Sequence, residues 1–118
     1  MREIKFRAWN IIVERYYYNI QNVHDEEITD SFQNILDNYE LIVEQYTGLK
    51  DKNGVDVYEG DIVKIPLNEA AYSNNTIAVV SYDENSMLLA GRLVLSRICT
   101  AVEVIGNIHE NAELLEVN

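Results

Sequence analysis

A chain of 118 residues, 47% of them hydrophobic, is sized for one domain with a real core, which excludes wholesale disorder. Its net charge of −11 works against nucleic-acid binding, because affinity for phosphate comes largely from lysines and arginines that displace counterions. No apolar run nears the roughly 20 residues that cross a bilayer, the opening MREIKFRAWN lacks the apolar stretch of a secretory signal, and the one cysteine, Cys99, offers neither an internal disulfide nor a metal-ligand set. The expectation is a cytoplasmic protein with no cofactor, no metal and no membrane contact. The charge is uneven: residues 1–15 carry Arg2, Lys5, Arg7 and Arg15 against Glu3 and Glu14, a local net of +2, whereas residues 16–49 hold seven acids and no lysine or arginine.

In chain order, REIKFRAW alternates, with Ile4, Phe6 and Ala8 on one side and Lys5, Arg7 and Trp9 on the other, the period of a strand with one buried face. IIVERYYYNI is β-branched and aromatic and reads as a second strand; around Asn10 a hairpin and a bent continuous strand both fit. Tyr16, Tyr17 and Tyr18 invite a base-stacking role, but such platforms need a basic groove and only Arg15 is close, so packing is the simpler reading. NVHDEEITD is an acidic loop. Phe32, Ile35, Leu36 and Tyr39 then fall at i, i+3, i+4 and i+7, one face of a short helix around 30–39 with Asp30 or Ser31 as its N-cap.

LIVEQY returns to strand, and QYTGLKDKNGVDVYEGDIVKI follows with three of the chain's five glycines. Asn53-Gly54 suits the positive φ values of a tight type I′ hairpin turn, and Asp51 can bond the backbone two residues on. Glu59-Gly60-Asp61 turns again, and DIVKI is a buried strand closed by Pro66. Turn formation therefore accounts for the glycines. A calcium loop does not fit, because the glycine falls two places early and Val55 stands where a ligand is needed; a phosphate loop would need a Gly-Lys-Ser/Thr run that is absent. Further on, NEAAYSNN is a loop, TIAVVSY a strand, DENS a turn, MLLAGRLVL a bent or bulged strand broken at Gly91, ICTAVEVIGNI a strand, and ENAELLEV a helical turn with Asn111 as its cap. Short strands with turn signals at this spacing indicate a small barrel or sandwich.

Catalytic signals are weak. Cys99 lies beside Ile98 in an apolar setting that keeps a thiol inert. His24 and His109 have no evident nucleophile to serve. Glu59 and Asp61 are the best acid pair and lack a partner base or a histidine ligand; Glu26/Glu27 and Asp83/Glu84 read as solvated surface. No catalytic, cofactor or metal residue is assigned, and the chain is read as a non-enzyme.

Three stretches, IKFRAW (4–9), QYTGLKDKNGVDVYEGDIV (45–63) and VIGNIHENAELL (104–115), stand in this order and resemble the YopX family of phage and prophage proteins. They span about 37 of the 118 residues. The departures, at Asn10, Val55, Asp56, His109 and Ala112, leave the turns intact. The resemblance implies a mainly β domain, a small SH3-like barrel or roll. Here it would carry an extra N-terminal β element, with residues 1–44 forming strands and the acidic helical insert and residues 45–118 the barrel core. It implies no activity and offers no catalytic residues. The expected role is a non-catalytic protein-interaction or assembly module; the alternative is an acidic inhibitor or DNA mimic that blocks a nucleic-acid-binding protein. Phe6, Trp9, Arg15, Tyr16 and Tyr18 form the candidate interaction surface: they carry more aromatic area than so small a barrel buries alone, and they lie in the basic part of an acidic chain. A homo-oligomer formed by head-to-tail contact is expected, closing into a ring if the rotation permits, with a phage or host protein as a further partner.

Overall fold

The computed structural model describes residues 4–21, 40–66 and 77–117. The predicted helix around 30–39, His24 and the NEAAYSNN loop lie outside the described residues. The chain is mainly β, a curled sheet of the small barrel or roll kind, and it divides into two compact units, Met1–Tyr46 and Thr47–Asn118.

In the first unit, β1 (Phe6–Asn10) pairs antiparallel with β2 (Arg15–Tyr18) on one side and with the first half of β3 (Leu41–Lys50) on the other. The β1–β2 connection is a hairpin, but Ile11, Ile12 and Val13, read above as strand, form its loop. Asn10 is the reason. Its side-chain oxygen accepts the backbone N–H groups of Ile12 at 2.8 Å and Val13 at 3.1 Å, and its carbonyl accepts that of Glu14, which takes φ 54°. A short polar side chain that satisfies nearby donors diverts the backbone from a ladder and overrides β propensity. Ala8, Ile20, Phe6, Tyr17, Leu41 and Val43 make a small core on one face of this sheet.

In the second unit the last residues of β3 neighbour β4 (Asp56–Tyr58), and five strands form an antiparallel sheet. They are β5 (Asp61–Lys64), β6 (Ile77–Tyr82), β7 (Leu88–Ala90), β8 (Leu93–Val94) and β9 (Glu103–Asn107), in the order β8-β7-β6-β5-β9. β5, flanked by β6 and β9, is buried at both Ile62 and Val63, adjacent residues on opposite faces, which explains why its two apolar residues stand side by side instead of alternating. Val57, Val63, Ile65, Val80, Leu95 and Val102 anchor the larger core. Truncating the fully buried Leu95 to alanine is expected to cost about 2–5 kcal/mol.

The turns differ instructively from expectation. Asn53-Gly54 is not a two-residue type I′ turn. The Gly54 N–H bonds the Asp51 carbonyl, the Asp51 N–H bonds the Val55 carbonyl, and in this loop only Gly54 takes a positive φ, 79°. This is a type I turn followed by a left-handed residue. Asp83 repeats the arrangement bond for bond, with Ser86 at φ 63° in the glycine's place: DKNGV and DENSM are the same turn twice. MLLAGRLVL is not one bulged strand. Gly91-Arg92 is a two-residue loop that folds β7 onto β8, with Ala90 paired to Leu93. Between the two expected strands, taking Leu95 from the end of the first and Ile98 from the start of the second, lies one helical turn, α1 (Leu95–Ile98), because Leu95, Ile98 and Val102 reach the core at helical spacing. The six residues Ala112–Val117 form a 3₁₀ helix. Asn111 does not cap it with its side chain in the expected way; its Oδ1 accepts the Asn107 N–H at 3.2 Å. Gly106 permits this, since a Cβ there would stand 2.5 Å from that oxygen.

Candidate functional site

The five predicted interaction residues all belong to the three-strand sheet of the first unit, and strand alternation divides them between its faces. Register pairs Trp9 with Tyr16 and Arg7 with Tyr18 on β2, and Trp9 with Ile42 and Arg7 with Glu44 on β3. One face thus carries Arg7, Trp9, Tyr16, Tyr18, Ile42 and Glu44. The other carries Phe6 and Arg15, with Phe6 packed in the small core and the Arg15 guanidinium 4.9 Å from the Tyr17 ring. The structure therefore brings Trp9, Tyr16 and Tyr18 together and sets Phe6 and Arg15 apart from them.

The aromatic face is organised by a group that the alternation pattern concealed. Arg7, expected on the solvent side, is only 4% exposed, and its Nε donates to Glu44 Oε1 at 2.8 Å. The Tyr16 hydroxyl donates to the same oxygen at 3.0 Å, and the Arg7 guanidinium stacks 4.4 Å from the Tyr16 ring. Trp9 meets Tyr16 edge-on at 5.0 Å between centroids, and Tyr16 leads on to Tyr18 at 5.7 Å. A buried arginine is tolerable only when its charge is paired and its donors are used. Such a network fixes side-chain positions rather than supplying a reactive group. The signal in the sequence was a lone arginine and a lone glutamate 37 residues apart, which no local pattern joins.

Ile11, Ile12 and Val13, which read as strand in the sequence, are surface residues. They are exposed at the hairpin tip, and the signal for it was Asn10 with four residues before the next strand partner.

The titratable candidates have structural positions. Asp61 is buried and its Oδ2 accepts the Tyr58 N–H at 2.7 Å, locking the turn through Gly60 at φ 90°. Cys99 lies in the larger core, and His109 in the turn after β9. Asp51 is the most engaged carboxylate: Oδ1 accepts from Asn53 at 2.8 Å and Val55 at 2.9 Å, and Oδ2 from Val104 at 2.9 Å. Burial pushes its pKa up, but the three N–H donors and the nearby Lys52 charge outweigh that and hold it below the usual carboxylate value. Among the described residues no three His, Cys, Asp or Glu side chains converge on a metal-sized site. A shallow hollow of about 220 Å³ in the second unit is lined by Lys52, Lys64, Pro66, Ala101 and Glu103. Two ammonium groups there could meet a small anion, with Glu103 offsetting one of them.

The YopX protein family model matches residues 5–116, nearly the whole chain. The chain belongs to the YopX family. The YopX match runs through the segments between the three quoted motifs as well as the motifs themselves. Among solved structures the chain is similar to protein EF1440 from Enterococcus faecalis, at 28% sequence identity and a TM-score of 0.69, covering 98% of this chain and 99% of that one. Comparison with curated proteins found no match. Among the described residues no helix of this YopX chain is long and apolar enough to cross a membrane.

Proposed function

We propose that this YopX-family chain is a small, non-catalytic assembly module, encoded by a phage or prophage and acting in the cytoplasm, whose first unit makes protein contacts. One observation carries the reading. Of the nine exposed large apolar side chains among the described residues, six (Ile4, Ile11, Ile12, Val13, Tyr18 and Ile42) belong to the first unit. That unit contributes only residues 4–21 and 40–46 to those described. Apolar exposure concentrated in so small a part of the chain favours a contact surface in this unit. Of the predicted aromatic residues on the Arg7 face only Tyr18 is exposed, at 48%; Tyr16 is half-buried and Trp9 is buried, so Tyr18 is the ring available for contact.

The acidic surface supports a protein partner over a phosphate backbone. With −11 overall and +2 confined to residues 1–15, too few cations are available for useful affinity at physiological salt. The test is sedimentation velocity of the full chain over a range of concentrations, at low and high salt. Self-association that strengthens with concentration is expected. A monomer throughout would overturn the reading, and a salt-sensitive shift with added duplex DNA would overturn its exclusion of nucleic acid.

A further inference from the structure

The second unit contains one turn twice, and the two copies differ in what they hold. In each, an aspartate Oδ1 accepts the N–H groups two and four residues on, at 2.8 and 2.9 Å for Asp51 and at 2.9 and 2.8 Å for Asp83. Two bonds to one oxygen fix the carboxylate plane, so Oδ2 is aimed alike in both turns. In the first turn that oxygen accepts the Val104 N–H at 2.9 Å, and the neighbouring Lys52 N–H donates to the Val102 carbonyl at 2.9 Å. The turn thereby holds one edge of an extended segment, because backbone groups two residues apart on a strand point the same way. The residue between them, Glu103, accepts from Asn53 Nδ2 at 3.4 Å and lines the same hollow as Lys52.

The corresponding groups of the second turn are Asp83 Oδ2 and the Glu84 N–H. Among the described residues neither has a hydrogen-bond partner. Glu84 and Asn85 are exposed and Asp83 is half-buried, so an incoming strand can reach them. The asparagine at the third position is kept, as Asn53 and Asn85, but the second position changes sign, from Lys52 to Glu84. Asp51 and Lys52 cancel, whereas Asp83 and Glu84 together carry −2. The first turn has an acid, Glu103, set against its lysine; the second calls for a cation in that place. A phosphate backbone or an anionic bilayer would meet two carboxylates and is repelled.

We propose that the Asp83–Met87 turn docks an extended segment of a partner protein that has a lysine or arginine at its centre. The Glu84 N–H donates to the carbonyl of the residue before that cation. Asp83 Oδ2 accepts the N–H of the residue after it, and the Glu84 carboxylate meets the cation itself. This contact lies on the second unit and does not depend on the surface assigned to the first.

The probe is a capped peptide, TAVKVIG, which is the chain's own segment 100–106 with Glu103→Lys; the unaltered TAVEVIG is its control. Each is titrated into the isotope-labelled full chain and followed by backbone amide resonances. TAVKVIG should shift the Glu84 and Asn85 amides and bind more tightly than TAVEVIG. Asp83→Asn keeps the Oδ1 acceptor and replaces Oδ2 by a donor, and it should weaken TAVKVIG by about tenfold, the loss of one hydrogen bond to a charged group. Glu84→Lys should reverse the preference, so that TAVEVIG binds more tightly. Both variants should keep the wild-type melting temperature, since the first turn already carries a lysine at the equivalent place. The Glu84→Lys chain still has a net charge of −9, from −11 plus 2, so bulk attraction alone would leave TAVKVIG preferred. An unreversed preference therefore overturns the proposal. So do Glu84 and Asn85 amides that do not move, and shifts confined to Lys52 and Asn53.

Discussion

Asp51 gathers three backbone donors onto one carboxylate, two from its own turn and one from Val104, 53 residues along the chain. An asparagine there would keep one acceptor oxygen and turn its amide nitrogen toward the third N–H, donor against donor. Asp51→Asn is therefore expected to cost about 1–3 kcal/mol near neutral pH, measured by denaturant unfolding. The pH dependence has a definite sign. A carboxyl held below its unfolded value of about 3.9 contributes stability in full above that pH and loses it as pH falls through the folded value. The wild type should thus lose stability more steeply than Asp51→Asn on the acid side of about pH 4. Parallel acid limbs would show that the carboxylate charge contributes nothing.

Strand β1 is closed on both faces, by the small core at Ala8 and by the Arg7–Glu44–Tyr16 network opposite. Removing one ion of a buried pair leaves the other uncompensated, whereas removing both with apolar groups of similar volume is often neutral. Arg7→Met alone should cost about 3–5 kcal/mol, and Arg7→Met combined with Glu44→Leu should recover most of it. If the double variant is as unstable as the sum of the singles, the pair is not acting as a unit. The same strand shows what was readable. Alternation assigned Phe6 and Ala8 to one side and Arg7 and Trp9 to the other, as found, because strand period is local. It could not show that Arg7 is covered, because that depends on a partner supplied by β3. Likewise Asn10 converted Ile11–Val13 from strand to loop through side-chain bonds that β propensity ignores, and Asp51 changed the type of a turn whose place was legible.

At the scale of the molecule the two units are unequal. Among the described residues the second has a broad core from Val57 to Val102, with several side chains fully buried, and the first has Ala8 and Ile20 with a partly exposed surround. Regions with less buried apolar contact open at lower free energy. Native-state hydrogen exchange should therefore show slower exchange for β5 and β6 than for β1 and β2. Equal protection in both would mean that the units unfold only together. Fold class was legible at this scale, because strand length and turn spacing are local quantities that sum along the chain. The candidate site was legible only as a region: its aromatic residues declared themselves, while the division between faces and the exposed tip required register.

Among the described residues the last strand of the larger sheet, β9, has no strand beyond it. Its outward N–H groups are nevertheless occupied, that of Val104 by Asp51 Oδ2 and that of Asn107 by Asn111 Oδ1, while the Val102 carbonyl takes the Lys52 N–H. A bare strand edge templates the addition of foreign strands and ultimately fibril growth. Here two side chains act as stoppers, and the opposite border, β8, is only two residues long. The sheet is thus ended chemically at one border and by brevity at the other. Losing either stopper would convert a stable rim into an adhesive one, so the first symptom of damage at Asp51 or Asn111 would be insolubility during expression, ahead of any measurable loss of binding.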